Sequence, residues 1–578
     1  MRMNGIIKPK TIVPVDSDRH SRFGTTAARM VVSAIFVVLM LLVAGFMFWS
    51  NVEGALAGAK QAIRAVERQT HHWINLYTEL NMVTPDELRI YIDVNRVVTD
   101  HNKQGECRQR VLDNGPLRVH PENGRYFMDG KGTVVYLTGS HYWLNLQDGV
   151  LTDPPPAFDY TGYLDFLESQ NHNFFRLWTW EQAKWVVEWH EPYYFSPMPY
   201  ERTGPGTALD GKPKFDLTKF DQTYFDRLRE RVIEAGERGM YVSVMLFNGW
   251  STSYPKGFYQ LANPWVGHPY NEANNVNGIN GDVNNDNSGS ETHELVNPAV
   301  TALQEAYVKK VIDTVNDLDN VLYEISNESD GGSEQWQYHM INLIKSYEAT
   351  KPKQHPVGMT VEWPGGNNQE LFNSPADWIS PNGSLDDPPA ADGSKVIIDD
   401  TDHLCGICGD RVWVWKSFTR GRNPIFMDQY DDSYKLDGGG YDPNNANDVS
   451  LRKNLGYTRM YADQMNLAGM RPRSDLSSTG YVLANPGMSR AEYLVYSPNG
   501  GEFTVDLGGV SGEVSVEWFN PETGMKTSMA AVNGGANRSF TPPFSGDAVL
   551  YLVSVDAPPE TPTPSPLDFS LYLPGITR

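Results

Sequence analysis

Between residues 113 and 475 the apolar positions fall into short unbroken runs, separated by longer stretches with helical spacing. The runs are Val134–Leu137, Phe174–Trp178, Tyr241–Phe247, Val321–Ile325, Pro356–Thr360, Trp378–Ser380, Lys395–Ile398 and Pro424–Met427. Runs of this length read as strands buried on both faces, as in a parallel sheet. Helices are expected between most of them. One starts at Asn297-Pro298, a cap followed by proline in the first turn, and turns Leu303, Tyr307, Val311 and Val315 inward. A second runs from about Phe220 to Glu237 and stops at Gly239. A third runs from Ser450 through Leu455 and Tyr461 to Gly469, read as a glycine cap. Pro381–Ser394 is too rich in Pro, Gly and Asp to be a good helix. Eight strands alternating with mostly helical connections predict an α/β chain folded as a (β/α)8 barrel. An open doubly wound sheet would carry a glycine-rich phosphate turn after its first strand, and Gly139-Ser140-His141-Tyr142-Trp143 is not one.

The pattern differs on either side. From Thr479 to residue 556 the runs alternate, as in Glu492–Tyr496, Glu502–Leu507, Glu513–Phe519 and Ala548–Val553, with turn residues between, which predicts an antiparallel β-sandwich. Residues 557–578 are a proline-rich tail. Near the other end, Met30–Trp49 is continuously apolar and long enough to cross a bilayer as a transmembrane helix. Arg19, Arg22 and Arg29 precede it, so residues 1–29 are expected in the cytoplasm and all that follows outside. A cleaved signal ending near Ala55-Leu56-Ala57 is the rival reading; export holds either way. Residues 50–112, with Ala62, Ile63, Val66, Trp73, Ile74 and Tyr77 at helical spacing, read as a stalk.

Composition narrows the partner. A net charge of -23 and the lack of a basic track exclude a nucleic-acid binder. Aromatic residues make up 12% of the chain, a surplus that suits a cleft stacking sugar rings. Three cysteines cannot make a disulfide framework. Cys405 and Cys408 lack the second pair that a structural zinc wants, so a small-loop disulfide or two free thiols is the better reading.

In such a barrel the chemistry sits at the C-terminal ends of the strands. Those ends present His141, Trp143 and Asn145; Arg176, Trp178, Trp180 and Glu181; Asn248 and Trp250; Asn327 and Glu328; Glu362 and Trp363; Asp400, Asp402 and His403; and Asp428. Carboxylates, amides and indoles on one face suit glycoside hydrolysis, which needs two carboxyl groups flanking the bond. Tyr323-Glu324-Ile325-Ser326-Asn327-Glu328 resembles the end of strand 4 in the clan-A, cellulase-like glycoside hydrolases, over roughly Arg125 to Met470. The resemblance implies Glu328 as acid/base, Asn327 as partner of the sugar 2-hydroxyl, and Arg176 as the arginine that orients the nucleophile. It further implies an oligo- or polysaccharide substrate. Where that clan carries a nucleophilic Glu after strand 7, this chain has Asp399-Asp400-Thr401-Asp402-His403. Alternation puts Asp400 and Asp402 on the face of Ile398 and Asp399 on the other, so Asp400 is the first candidate nucleophile and Asp402 the second. Retention of configuration is expected if the backbone offsets the shorter side chain. Expected substrate contacts are His141, Trp143, Arg176, Trp178, Asn248, Trp250, Asn327, His403 and Asp428.

Plainer readings compete. Glu181, Glu362 or Asp428 could each be a helix cap, His141 and His403 structural histidines, and Trp178 and Trp250 packing at the rim. The insertions Glu181–Leu217 and Ser251–Leu295 read as cleft walls. Asp282, Asn284 and Asp286 alternate as in calcium loops, but position six is Asn287 and position twelve His293, so neither metal nor cofactor is expected. The terminal module resembles the domain labelled "putative collagen-binding", through Tyr493–Gly501 and Val516–Gly524; a structural cap is the simpler role. A non-catalytic, surface-anchored carbohydrate-binding protein is the alternative function. A peptidase lacks any His-Glu-x-x-His or Gly-x-Ser-x-Gly motif.

Overall fold

The computed structural model describes residues 111–187, 191–256, 262–430, 442–487 and 490–554, all within the unit Arg108–Arg578. The apolar run at 30–49, the stalk and the proline-rich tail lie outside the described residues. Among the described residues no helix is long and apolar enough to cross a membrane.

Eight parallel strands form one sheet: β1 (Gly139–His141), β2 (Phe174–Leu177), β3 (Tyr241–Asn248), β4 (Val321–Asn327), β5 (Val357–Thr360), β6 (Trp378–Ser380), β7 (Val396–Asp400) and β8 (Asn423–Met427). Their order is β1-β8-β7-β6-β5-β4-β3-β2. At the seam Asn173 N donates to Thr138 O at 3.0 Å, and the Asn173 side chain bonds Thr138 N and Tyr136 O. The barrel is therefore nearly closed. Between the strands run α1 (Tyr160–Ser169), α2 (Gln222–Glu237), α3 (Pro298–Val315), α4 (Glu334–Glu348), α5 (Asn368–Asn373), α6 (Arg411–Thr419) and α7 (Ala446–Gln464). Asn297 caps α3 by accepting from Val300 N, and Gly239 follows α2 with φ +78. Residues 381–395 cross from β6 to β7 without a helix.

Two expectations need correction. The apolar run at Val134–Leu137 is not the first barrel strand. Val134–Val135 pairs antiparallel with Phe127–Met128, which pairs with Arg118–Val119. With Val111 and Leu117, this small sheet covers the end of the barrel lined by Phe174, Leu322, Val396 and Ile425. That burial explains its apolarity. The true β1 is Gly-Ser-His, invisible to a hydrophobic pattern, and Gly139 is required because a Cβ there would strike Phe174 O. The last helix also differs: α7 begins before Ser450 and ends at Gln464, short of Gly469.

Asp148–Val150, Tyr193–Ser196, Lys184–Val187 and Ala262–Asn263, drawn from the segments after β1, β2 and β3, pair into a four-stranded antiparallel sheet. A ribbon of Tyr200–Thr207 and Pro213–Phe220 lies within the same insertion. At the C-terminus a six-stranded antiparallel sheet runs in the order Arg471–Pro472, Val482–Ala484, Glu492–Ser497, Ala548–Ser554, Glu513–Asn520, Met525–Asn533. One face puts Trp518 in a core with Val505 of a two-stranded ribbon, Phe503–Asp506 with Asn537–Phe540. Its other face places Tyr496, Phe519 and Tyr551 in one core with Trp415 and Phe418 of α6 and Tyr461 of α7. Cys405 and Cys408 are joined by a disulfide in the loop before α6.

Candidate active site

Arg176, near the end of β2 and 2% exposed, is the hub. Its Nε and Nη2 donate to the two oxygens of Glu324 at 2.9 and 2.5 Å. Nη2 also reaches Asn327 Oδ1 at 2.7 Å, while Nη1 reaches Asp400 Oδ2 at 3.0 Å and Asp402 Oδ2 at 2.8 Å. Burial would lower the guanidinium pKa, but Glu324 and Asp400 outweigh it and hold the charge. One fixed cation thus binds three buried carboxylates and an amide from the ends of β4 and β7. A planar fork does this where an ammonium could not.

The two aspartates after β7 are not equivalent. Asp400 is fully buried. Its Oδ1 accepts from His141 Nε2 and from Asp402 N, both at 3.0 Å, and its Oδ2 from Arg176. It caps the turn Thr401–His403. Burial opposes ionisation there, but His141 and Arg176 prevail, and the carboxyl lies far below the usual range. Asp402 stands on that turn with one oxygen on Arg176, and burial, with Asp400 nearby, raises its pKa. Asp399 points the other way, onto Arg422 and Ser417, as alternation requires.

Glu328 follows β4 directly, is 7% exposed, and has φ +45. A non-glycine residue in that region stores on the order of 1–3 kcal/mol of strain, which the surroundings must offset. Gly249 allows the close approach: a Cβ there would collide with the Glu328 carbonyl. Lys256, 2% exposed, donates to Glu328 O at 2.9 Å, Trp363 O at 2.5 Å and Asp330 Oδ1 at 2.6 Å. Trp250 Nε1 donates to Glu328 Oε2 at 2.6 Å. Burial first, and Asp402 second, push the Glu328 carboxyl up to about 8, against Lys256 and the Trp250 bond. It can therefore carry a proton at neutral pH.

The other sequence candidates divide. His141 stacks on Trp178 with ring centres 5.5 Å apart and joins the cluster through Asp400. His403 Nδ1 pairs with Ser380 Oγ at 2.6 Å and Nε2 lies 3.2 Å from Asn327 Oδ1; burial and Arg176 push its pKa down to about 3, so it stays neutral. Asn327 Nδ2 is buried with no protein partner. Trp250 stacks on Trp363 at 5.4 Å, both half-buried. Asn248 caps the turn Gly249–Ser251 and bonds Thr179 O. Trp143 is buried and accepts from Trp180 Nε1 through its carbonyl. Asp428 turns both oxygens to Arg452 of α7, at 2.7 and 2.5 Å, and so lies in an ion pair with the outer helix.

Three participants were not singled out from sequence. Glu324 could have been: on a strand buried on both faces it shares the inward side with Ser326, and a buried charge needs a partner. Lys256 carried no local signal. Nor did the link behind Glu328, where Glu181 Oε1 takes His293 Nε2 at 3.1 Å and His293 Nδ1 meets Ser329 Oγ at 2.9 Å. Burial would raise Glu181, yet His293 and His268 pull it down to about 2.

Residues 184–363 match a family described as a domain of unknown function (DUF6298), and residues 474–552 match the "putative collagen-binding domain of a collagenase". No curated protein matches in sequence. Among solved structures, one named glycoside hydrolase is 14% identical, covers 78% of this chain and 99% of its own, with a TM-score of 0.50. Another, a "putative glycoside hydrolase" from Bacteroides vulgatus ATCC 8482, is 13% identical over 77% of this chain and 83% of its own, TM-score 0.51. A glycoside hydrolase family 5 structure from the same organism is 15% identical over 77% and 95%, TM-score 0.49. At these identities the likeness is one of fold: the barrel resembles those of solved glycoside hydrolases, and residues 474–552 match a module of the collagen-binding type.

Proposed function

We propose that this chain hydrolyses O-glycosidic bonds with retention of configuration, using Glu328 as acid/base and Asp402 as nucleophile. The observation that carries the reading is the buried pairing of Glu328, directly after β4, with Asp402, after β7, which lies near enough to raise the Glu328 carboxyl and is itself held by Arg176. Glu328 is buried and inclined to hold a proton; Asp402 is kept beside a guanidinium. Burial raises both carboxyls, and at Asp402 the Arg176 guanidinium opposes the rise, which suits Asp402 to the ionised role and Glu328 to the protonated one. Glu328 gives its proton to the departing oxygen, Asp402 Oδ1 attacks the anomeric carbon, and Glu328 then takes a proton from the water that releases the sugar. Asp400 is set aside as nucleophile because both its oxygens are already committed to donors. Asp402 stands on the 3-10 turn Thr401–His403, past the end of β7. Asn327 Nδ2, buried and unpaired, is suited to a sugar hydroxyl. Trp250 and Trp363 offer aromatic surface for a ring.

The apolar stretch 30–49, preceded by three arginines, supports anchoring in a membrane with the barrel outside the cytoplasm. The terminal sheets act as a structural cap on α6 and α7, a role supported by the core they share. The decisive experiment follows hydrolysis of β-linked oligosaccharides by proton NMR. A first-formed product with the anomeric configuration of the substrate supports the proposal. The opposite anomer overturns retention, and no turnover on any oligosaccharide favours a binding protein.

A further inference from the structure

The segment between β3 and α3 places oxygen-bearing side chains at alternate positions, Asp282, Asn284, Asp286 and Ser288. Two features of the sequence argue against a cation loop: no glycine at position six and no glutamate at position twelve. The structure supplies both functions by other residues. Asn287, at position six, has φ +66, the left-handed conformation that glycine provides in such loops and that asparagine tolerates. Asp282 folds the loop around itself, Oδ1 accepting from Asp286 N at 3.1 Å and Oδ2 from Asn287 N at 2.9 Å. Each of those oxygens keeps a further lone pair.

The glutamate arrives two residues early. The turn Ser290–His293 carries Glu291, which is 8% exposed, and neither of its buried oxygens has a well-formed hydrogen bond. The nearest donors are its own N–H and that of Asn284, so the carboxyl is turned toward the loop. A buried carboxyl without donors is costly unless it is protonated or meets a cation. We infer that Asp282, Asn284, Asp286, the carbonyl of Ser288 and Glu291 form a calcium site. As the loop is folded here, no three His, Cys, Asp or Glu side chains among the described residues stand together so as to hold a metal ion. The ion would draw Glu291 and Asp286 inward against their mutual repulsion. An all-oxygen set with a carboxylate free to bind through both atoms suits Ca2+, whereas Mg2+ demands a tighter octahedron. The site lies two residues from His293, which bonds Glu181 and Ser329, so the ion would stiffen the wall behind Glu328.

Trp265 packs directly on Gly281 and Gly289 at the two ends of the loop, an antenna for a luminescent lanthanide. The full chain, stripped with chelator, is titrated with Tb3+ while Trp is excited, and then with CaCl2 by calorimetry. Expected are a sensitised emission displaced by Ca2+ but not by equal Mg2+, and one calcium bound with a Kd of about 1 mM or tighter. Glu291→Gln and Asp286→Asn should each weaken binding at least tenfold; Asp286 is exposed, so that variant tests the site even if Glu291→Gln misfolds. No calcium binding up to about 10 mM, or binding unchanged in Asp286→Asn, overturns the site.

Discussion

Trp250 donates its indole N–H to Glu328 Oε2 at 2.6 Å, so the loop after β3 sets the protonation of the carboxyl after β4. The bond favours the charged form; burial and Asp402 favour the neutral one, and the balance falls at about 8.

Removing the donor should tip that balance. Trp250→Phe is expected to shift the alkaline limb of kcat/KM to higher pH and to lower turnover, because the acid is less well held. A pH–rate profile on a chromogenic glycoside checks it; an unmoved limb would mean that Glu328 does not set it.

Glu328→Gln should cut turnover on unactivated substrates by about 100-fold to 10,000-fold with the fold intact. Its stability should change in a definite sense. A carboxyl raised from 4.5 to about 8 stabilises the fold fully below its unfolded value, and that contribution is lost as pH rises through 8. Thermal melts should therefore show Glu328→Gln gaining on the wild type between pH 4.5 and 8. A constant difference across that window would contradict the burial of an ionisable group here.

Asp402→Asn and Asp400→Asn separate nucleophile from scaffold. The first should abolish turnover at little cost in stability, with azide restoring reaction as a glycosyl azide. The second should destabilise by about 3–5 kcal/mol, since it leaves Arg176 and His141 short of a buried counter-charge. The reverse pattern, read by denaturant melts and azide rescue, would return the role to Asp400.

Gly249→Ala alters no polar group, yet its methyl would overlap the Glu328 carbonyl and the Ser329 Cα. Activity is expected to fall about 100-fold, the penalty of displacing a catalytic group by roughly 1 Å, while circular dichroism stays native. Full activity would show that the left-handed turn at Glu328 has slack.

Much of the barrel was legible because seven of its strands are buried on both faces and so leave mainly apolar runs. β1 was not, since a Gly-Ser-His strand is polar where it meets Asp400 and tightly packed where it meets Phe174. The Asn327-Glu328 pair and Arg176 could be placed because strand position fixes their face. What spacing could not say was which of Asp400 and Asp402 has a free oxygen, for that depends on His141, brought from 259 residues away. Asp428 illustrates the same limit: its position reads as cleft, and its partner Arg452 lies on the last helix.

Trp415 stacks on Tyr496 at 6.2 Å, and Arg411 forks onto Asp547. In the coat of the barrel, α6 and α7 thus lean on a sheet rather than on water. The terminal module is consequently no passenger: cut away, it would strip two staves of their backing and leave aromatic rings wet beside β7 and β8. Any lineage that exchanged this module would have to rewrite the outer faces of both helices at once. The terminal module and the last two strands of the barrel are in that sense kept in register by the same two helices.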